Sequence, residues 1–200
     1  AAENLKNKGV QVTVLDFASQ LLPNILDEEM AAYVKKHLLK EGIRVLTGTK
    51  AEEVVGSGKV TGLKTSAGFL GCELLITAAG IRPNTEFLQS SGLEMSKGTI
   101  LVDNTMKTSL EDVYAAGDCV MVTNRITGKP QWSPMGSSAN MEGRTLAQIL
   151  TGTRKTYPGV LGTGVVKLPG LHVGRTGLTQ QQAEAAGYEV VTVLVPTDDK

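Results

Sequence analysis

Cysteine and aromatic residues are scarce in this sequence. The chain contains two cysteines, Cys72 and Cys119, without CxxC spacing. This excludes a disulfide framework and a multi-cysteine zinc site, and it indicates a reducing compartment, the cytoplasm. Aromatic residues make up 4% of the chain, too few for the stacking platforms that bind single-stranded nucleic acid. We therefore expect neither a metal site nor a nucleic-acid partner.

The sequence also lacks an excess of either charge and any long apolar run. Its 20 basic and 20 acidic residues cancel to a net charge of zero, which argues against electrostatic binding to nucleic acid or membrane surfaces. No segment is apolar enough to cross a bilayer. An apolar fraction of 41% still supports a packed core. Since the sequence lacks an initiator Met and stops just after a predicted strand, we expect both ends to lie within a longer protein.

Helical and strand-like segments alternate along the chain. Periodicity predicts an α/β fold that begins with the end of a helix, followed by a strand, a helix capped by Asp27, a strand, a β-meander and an apolar strand. The second half adds short strands, a hairpin-like excursion over 120–132 and a helix capped by Ser133 with Pro134 at its first position. Thr179 is predicted to cap a further helix. The predicted strands and meander cover 10–15, 43–46, 51–71, 73–78, 99–102, 113–115, 164–168, 171–175 and 189–195.

A strand followed by small residues and a carboxylate lies at the centre of this pattern. Val113 to Ala115 are predicted to form a buried strand that leads into Gly117, where the lack of a side chain lets another molecule approach the backbone. Asp118 follows at the carboxyl end of the strand, where open α/β sheets bind ligands. A carboxylate there can accept hydrogen bonds from sugar or polyol hydroxyl groups. An aspartate in an ordinary turn is the alternative.

Two other strand ends have similar features. Asp16 follows the first predicted strand, where a carboxylate can bind the adenosine ribose of NADH and disfavour the 2′-phosphate of NADPH. Ala79 and Gly80 end the apolar strand 73–78 and suggest a second close approach of backbone to ligand. The alternatives are a turn aspartate and tight packing between strand and loop.

The helix after Pro134 begins Met135-Gly136-Ser137-Ser138. Its first N–H groups have no intrahelical partner, and the helix dipole makes this end attractive to negative charge. Such a donor suits the pyrimidine edge of a flavin, where reduction places negative charge. A capped surface helix is the alternative.

These pieces together resemble the FAD-dependent pyridine nucleotide-disulfide oxidoreductases. The segments Arg175–Thr179, Met135–Asn140 and Gly143-Arg144 look like the single-cysteine branch, which includes coenzyme A-disulfide reductases, NADH oxidases, NADH peroxidases and persulfide reductases. The remaining matching segments are Val12–Asp16, Leu21–Pro23, Ile76–Asn84 and Thr108–Cys119.

The resemblance implies two incomplete Rossmann-like nucleotide-binding domains and the start of an α+β dimerisation domain. Residues 1–82 would belong to the NAD domain without its first strand and glycine-rich loop, 83–155 to the FAD domain, and 156–200 to the dimerisation domain.

The resemblance also assigns roles to individual residues. Asp118 and Gly117 would hold the ribitol chain of FAD, and the helix start would lie beneath the flavin ring. Asn140 would approach a thiol or disulfide substrate. The intact protein would be a cytoplasmic homodimer that uses FAD and NADH. The residues implied in cofactor binding are Gly117, Asp118, Met135, Gly136, Ser137 and Ser138 for FAD, and Asp16, Ala79 and Gly80 for NAD.

Neither Cys72 nor Cys119 matches the redox cysteine of this branch, so no catalytic residue is predicted within the chain. We expect the intact protein to pass hydride from NADH via FAD and one cysteine to a disulfide or persulfide such as coenzyme A disulfide. The 200-residue chain alone is expected to be inactive and unable to retain FAD. The alternatives are an NADH oxidase or peroxidase, a ferredoxin-type electron-carrier reductase, and a non-enzymatic binding module.

Overall fold

A computed structural model of the chain describes residues 1–197. Within it the chain forms two compact units. Unit 1 combines residues 1–78 with the chain from Gly164 onward, and unit 2 comprises Ala79–Thr163. None of the described helices is both long and apolar enough to span a membrane. The division into three parts at residues 82 and 155 remains a prediction.

Four helices and eleven strands make up the described structure. The helices are α1 (Ala2–Lys6), α2 (Glu28–Lys40), α3 (Gly136–Leu150) and α4 (Gln180–Ala185). The strands are β1 (Thr13–Leu15), β2 (Arg44–Leu46), β3 (Ala51–Ser57), β4 (Lys59–Thr65), β5 (Gly68–Gly71), β6 (Met95–Ser96), β7 (Thr99–Leu101), β8 (Val120–Thr123), β9 (Pro130–Trp132), β10 (Gly164–Leu168) and β11 (Leu171–Arg175). A short 3-10 turn covers Glu86–Leu88.

Unit 1 has a parallel strand pair with a helix packed against it, as the βαβ pattern of its sequence predicts. Strands β1 and β2 pair in parallel, and α2 connects them. The apolar face of α2 buries Ala31, Val34 and Leu38 against Ile43 and Val45, because residues three and four apart share one face of a helix. This packing places Asp16 at the carboxyl end of β1.

The remaining sheets of unit 1 are antiparallel. The predicted meander is confirmed as β3, β4 and β5 in sequential order. Strands β10 and β11 form a separate hairpin, and the carbonyl of Pro169 in its turn contacts Nε2 of His37 on α2. The predicted cap of α4 is also confirmed, because Thr179 and Gln182 form a reciprocal capping box.

Two predicted strands of this part of the chain are absent. Residues 73–78 and 189–195 have no regular strand structure, and their apolar side chains, including Ile76 and Val193, are exposed. A strand forms by hydrogen bonding to a neighbouring strand. No other strand among residues 1–197 pairs with either segment, so their apolar pattern alone does not produce one.

Unit 2 is built on a mixed four-stranded sheet in the order β6, β7, β8, β9. Strands β7 and β8 are parallel, whereas β8 and β9 form the hairpin predicted over 120–132. The core contains Met106, Val120, Val122 and Tyr157, with Leu146 of α3 packed against it. The carboxyl-terminal part of α3 therefore lies against the sheet that carries the central Gly117–Asp118 turn at the start of β8.

The strand predicted over 113–115 is reduced to a single bridge between Lys107 and Tyr114. Two backbone hydrogen bonds still hold this segment: Thr108 N–H donates to the carbonyl of Val113, and Ala115 N–H donates to that of Met106 at 3.1 Å. The turn before it contains Asp112 at a φ of 57°, a left-handed conformation. The segment that leads into Gly117 is therefore hydrogen-bonded but irregular in its backbone.

Candidate functional site

The Gly117–Asp118 turn directs a carboxylate into solvent. Gly117 has a φ of 99°, a left-handed conformation that glycine adopts without steric cost. A Cβ at Gly117 would meet no atom within 4 Å, so the space beside the backbone is open. Asp118 is exposed, and none of the described residues donates a hydrogen bond to its carboxylate. The carboxylate is therefore available to hydroxyl groups of a ligand.

Two side-chain hydrogen bonds hold the backbone of this turn, in addition to the Val120 N–H that donates to the Gly117 carbonyl at 3.1 Å. The indole Nε1–H of Trp132 on β9 donates to the carbonyl oxygen of Asp118 at 2.7 Å. The backbone N–H of Gly117 donates to Oε2 of Glu142 on α3 at 2.8 Å. The turn is thereby connected to both the sheet and the helix of unit 2.

The start of α3 differs from the prediction by two residues. Met135, rather than Ser133, is the N-cap, and it provides no side-chain cap. The prediction of a Ser133 cap with Pro134 at the first helical position is therefore wrong. The hydroxyl of Ser133 lies 3.3 Å from that of Ser138 instead.

The first turn of α3 has free donors. Gly136 and Ser137 are exposed, and the first turn contains no acidic residue. The first N–H groups of a helix lack intrahelical acceptors and carry the positive end of the dipole. This end of α3 can therefore bind an anionic or hydrogen-bond-accepting edge of a ligand.

Glu142 is a site residue that the sequence interpretation missed. It lies one and a half turns into α3 and is 2% exposed. No described Lys or Arg forms an ion pair with it. The signal was present in the sequence: Ser138, Glu142 and Thr145 share the face of α3 that continues to Leu146 and Ile149. A carboxylate on this inward face marks a buried charge with a specific partner.

The cluster around Glu142 is electrostatically coupled. Burial raises the pKa of Glu142, the Gly117 N–H opposes this shift, and the nearby Asp118 adds to it. Burial also raises the pKa of Tyr157, with a further contribution from Glu142, while a hydrogen bond to Ser138 opposes the shift. The negative charge of Asp118 therefore disfavours ionisation of Glu142, and the charge of Glu142 disfavours ionisation of Tyr157.

Cys119 follows Asp118 but lacks the properties of a nucleophile. Its Sγ–H donates to the carbonyl of Ala116 at 3.7 Å. Burial raises the pKa of this thiol, and the charges of Glu142 and Asp118 raise it further. A reactive cysteine requires the opposite, an electropositive setting that stabilises the thiolate. Cys119 is therefore a structural residue.

The residues predicted to bind NAD lie in different parts of the structure. Asp16 belongs to unit 1, where its Oδ1 accepts the N–H of Ala18 at 2.9 Å. Ala79 and Gly80 open unit 2 and are exposed, with no regular secondary structure. Gly80 has a φ of 96°, a left-handed conformation that glycine adopts without steric cost. Their joint role in NAD binding remains a prediction.

Asn140 lies on the exposed side of α3, one residue beyond its first turn. Its contact with a substrate remains a prediction. No cluster of three or more potential metal ligands occurs among residues 1–197.

The geometry of unit 2 fits the ribitol and ring of a flavin. An open left-handed glycine precedes an unpaired exposed carboxylate, which suits a polyhydroxyl chain. The uncapped start of α3 supplies N–H donors on an element joined to that turn through Glu142. Donors at a helix start suit the edge of a flavin ring that gains negative charge.

Comparison with known proteins places the chain in a family. The pyridine nucleotide-disulphide oxidoreductase family matches residues 1–142. A curated NADH oxidase of Methanocaldococcus jannaschii is 36% identical over 95% of this chain and 42% of its own length. A CoA-dependent NAD(P)H sulfur oxidoreductase of Pyrococcus furiosus is 32% identical over 100% of this chain and 45% of its own length.

A solved structure supports the same assignment. The FAD-dependent pyridine nucleotide-disulphide oxidoreductase of Desulfovibrio vulgaris superposes with a TM-score of 0.88 and 36% identity, over 95% of this chain and 49% of that protein. The chain belongs to the pyridine nucleotide-disulphide oxidoreductase family, whose members are FAD-dependent NAD(P)H oxidoreductases with an α/β fold. It spans less than half the length of the two curated relatives described above.

Proposed function

We propose that this chain is part of a flavoprotein oxidoreductase that passes hydride from NADH through FAD to a disulfide or persulfide such as coenzyme A disulfide. The observation that carries the proposal is the Gly117–Asp118 turn joined to an uncapped helix start, α3, within one unit. FAD supplies the two-electron redox chemistry when bound. The role of this part of the chain is to bind and orient it.

Each residue of the turn and helix has a distinct role in this proposal. Asp118 accepts hydrogen bonds from ribitol hydroxyls, and Gly117 leaves space for the chain. The helix start Met135–Ser138 binds the pyrimidine edge of the ring through the N–H groups of Gly136, Ser137 and Ser138, because the Met135 N–H donates to the Ser133 carbonyl at 2.8 Å. Cys119 takes no part, since its surroundings keep the thiol protonated. We infer that the redox cysteine lies outside residues 1–200.

The nicotinamide nucleotide is assigned to Asp16, Ala79 and Gly80. A carboxylate at the end of β1 suits the 2′-hydroxyl of the adenosine ribose and repels a 2′-phosphate, which supports NADH over NADPH. Asp16 retains one carboxylate oxygen beyond the one that accepts Ala18 N–H. We propose the three-part division at residues 82 and 155, a homodimer in the cytoplasm and a small thiol or disulfide as the substrate, with Asn140 beside it.

An NADH oxidase is the second candidate. The relative from M. jannaschii bears this name and is 36% identical, and the features of unit 2 serve either acceptor equally. The chemistry at the acceptor depends on groups outside the described residues.

The acceptor is tested by NADH oxidation in the longer protein. Coenzyme A disulfide, polysulfide, peroxide and oxygen are compared at equal concentration, and we expect the disulfide or polysulfide to give the highest kcat/KM. Oxygen as the best acceptor would instead establish the oxidase. The purified 200-residue chain with added FAD is the companion experiment. Bound flavin that NADH bleaches in this chain would contradict the expectation that it is inactive.

A further inference from the structure

The buried carboxylate of Glu142 has no part in the cofactor contacts proposed above. It is 2% exposed, and its Oε2 accepts the Gly117 N–H at 2.8 Å. A carboxylate buried without a cation is costly unless it is hydrogen-bonded or protonated. Its retention on the inward face of α3 therefore points to a specific task at its partner, the amide of Gly117.

The hydrogen bond from Gly117 works together with that from Trp132. One fixes the N–H at the entry of the Gly117–Asp118 turn, and the other fixes the carbonyl at its exit. Because Gly117 has no side chain that packing could restrain, hydrogen bonds hold the backbone of the turn: these two, and one from the Val120 N–H to the Gly117 carbonyl at 3.1 Å. Loss of the bond to Glu142 removes the acceptor of the Gly117 N–H, at a residue whose backbone rotates more readily than that of any other residue type.

We propose that Glu142 is a positioning residue for Asp118, and that its protonation state sets the geometry of the Gly117–Asp118 turn and the retention of flavin there. The part that concerns flavin rests on the proposed function. The part that concerns the turn stands on the two hydrogen bonds alone.

Three ionisable groups outside α3 face Glu142. Asp118 and Cys119 lie on the turn, and Tyr157 packs from the segment that follows α3. All three are neutral or negative in the accessible pH range. An ionised Glu142 binds the Gly117 amide through a charge-assisted bond, which is about twice as strong as a neutral one, but repels Asp118. A protonated Glu142 holds the amide less firmly and removes that repulsion, so ionisation changes the turn.

Trp132 makes this change measurable without flavin. It is the single tryptophan of the chain, and its indole is bonded to the same turn at Asp118. We expect its emission to titrate with a midpoint above 4.5, since burial raises the pKa of Glu142 above that value. Glu142→Gln retains an acceptor for Gly117 but does not ionise, so this transition is absent in the variant.

Glu86→Gln is the matched control, because it makes the same change at an exposed position of unit 2. We expect it to retain the wild-type curve. A titration in Glu142→Gln with the wild-type midpoint and amplitude would overturn the inference, as would a wild-type emission that is flat from about pH 4 to about pH 9.

The flavin part is tested in the longer protein by the dissociation constant of FAD. Glu142→Leu removes the acceptor, and we expect about tenfold weaker binding, the effect of one lost hydrogen bond. Glu142→Gln should remain within about threefold of wild type at neutral pH, with its pH dependence removed. The Gln variant preserves the test if the Leu variant fails to fold.

The outcomes separate this inference from the proposed function. If Asp118→Ala weakens FAD binding and Glu142→Leu does not, the inference is wrong and the FAD site stands. If neither substitution changes FAD binding, both assignments to flavin are wrong. The titration of Trp132 then decides the role of Glu142 in the turn alone.

Discussion

Met106 supports the site from the core, and its replacement provides a quantitative test of the fold of unit 2. Its side chain is 0% exposed, within the cluster of Ile100, Val120, Tyr157 and Val160. Its carbonyl accepts the Ala115 N–H at 3.1 Å, two residues before Gly117. Met106 therefore links the core directly to the segment that leads into the site.

Met106→Ala should destabilise unit 2 by about 2–5 kcal/mol, the usual cost of truncating a fully buried methionine. With a urea m-value of about 2 kcal/mol per molar, a loss of about 3 kcal/mol lowers the unfolding midpoint by about 1.5 M. Emission of Trp132 reports this transition, since Trp132 lies in the same unit.

The backbone conformation of Met106 predicts that substitution by glycine relieves strain, which opposes the loss of stability from truncating the side chain. Its φ is 64°, a left-handed conformation that costs a non-glycine residue about 1–3 kcal/mol. Met106→Gly should therefore be about as stable as Met106→Ala, although it removes one more methyl group. A glycine variant less stable than the alanine variant by more than about 1 kcal/mol would contradict the relief of strain.

Met141→Ala is the control for this experiment. Met141 lies on α3 in the same unit and is 52% exposed, so the same truncation should change the stability by less than about 0.5 kcal/mol. Equal midpoints for Met106→Ala and Met141→Ala would refute the assignment of Met106 to the core.

Three further predictions concern a glycine, a helix cap and pH. Gly159→Ala should lower the free energy of unfolding by more than about 3 kcal/mol, because Gly159 has a φ of 82° and the new Cβ would lie 2.2 Å from the Thr123 carbonyl oxygen. Gly128→Ala, at a position with open space, should lower it by about 1 kcal/mol in the same urea denaturation. Thr179→Ala should destabilise α4 by about 1 kcal/mol and speed amide exchange there, and Thr179→Ser should not. Since burial raises the pKa of Glu142 above 4.5 in the folded state, unit 2 should lose stability as pH rises from below 4.5 through that raised pKa. The same urea experiment on Glu142→Gln should show no such loss.

The sequence predicts local structure well where the signal is itself local. The Thr179 cap, the meander β3–β5 and the strands β10 and β11 are confirmed, since turn glycines and capping side chains act over a few residues. Residues 73–78 and 189–195 have equally strong strand patterns but no strand. Their apolar composition indicates burial, and pairing depends on a partner strand that composition does not specify.

At the site, too, the sequence predicts only those features whose residues lie close together along the chain. Gly117 and Asp118 are recognisable in sequence because small residues and a carboxylate follow an apolar segment, and the structure gives them an open, exposed turn. Glu142 lies 25 residues from Gly117 along the chain, and only the packing of α3 on the sheet joins them. The helix start is also displaced from Ser133 to Met135, with the Ser133 hydroxyl beside that of Ser138.

Asp118 is the residue on which the proposed flavin site depends most. Its direct test is the flavin content of the purified longer protein with Asp118→Ala, beside Glu111→Ala as an exposed acidic control in the same unit. Loss of hydrogen bonds to a charged group costs about 1.5–3 kcal/mol, so we expect FAD to dissociate about tenfold to a hundredfold more readily from Asp118→Ala, and no change for Glu111→Ala. Wild-type flavin content and affinity in Asp118→Ala would contradict the assignment.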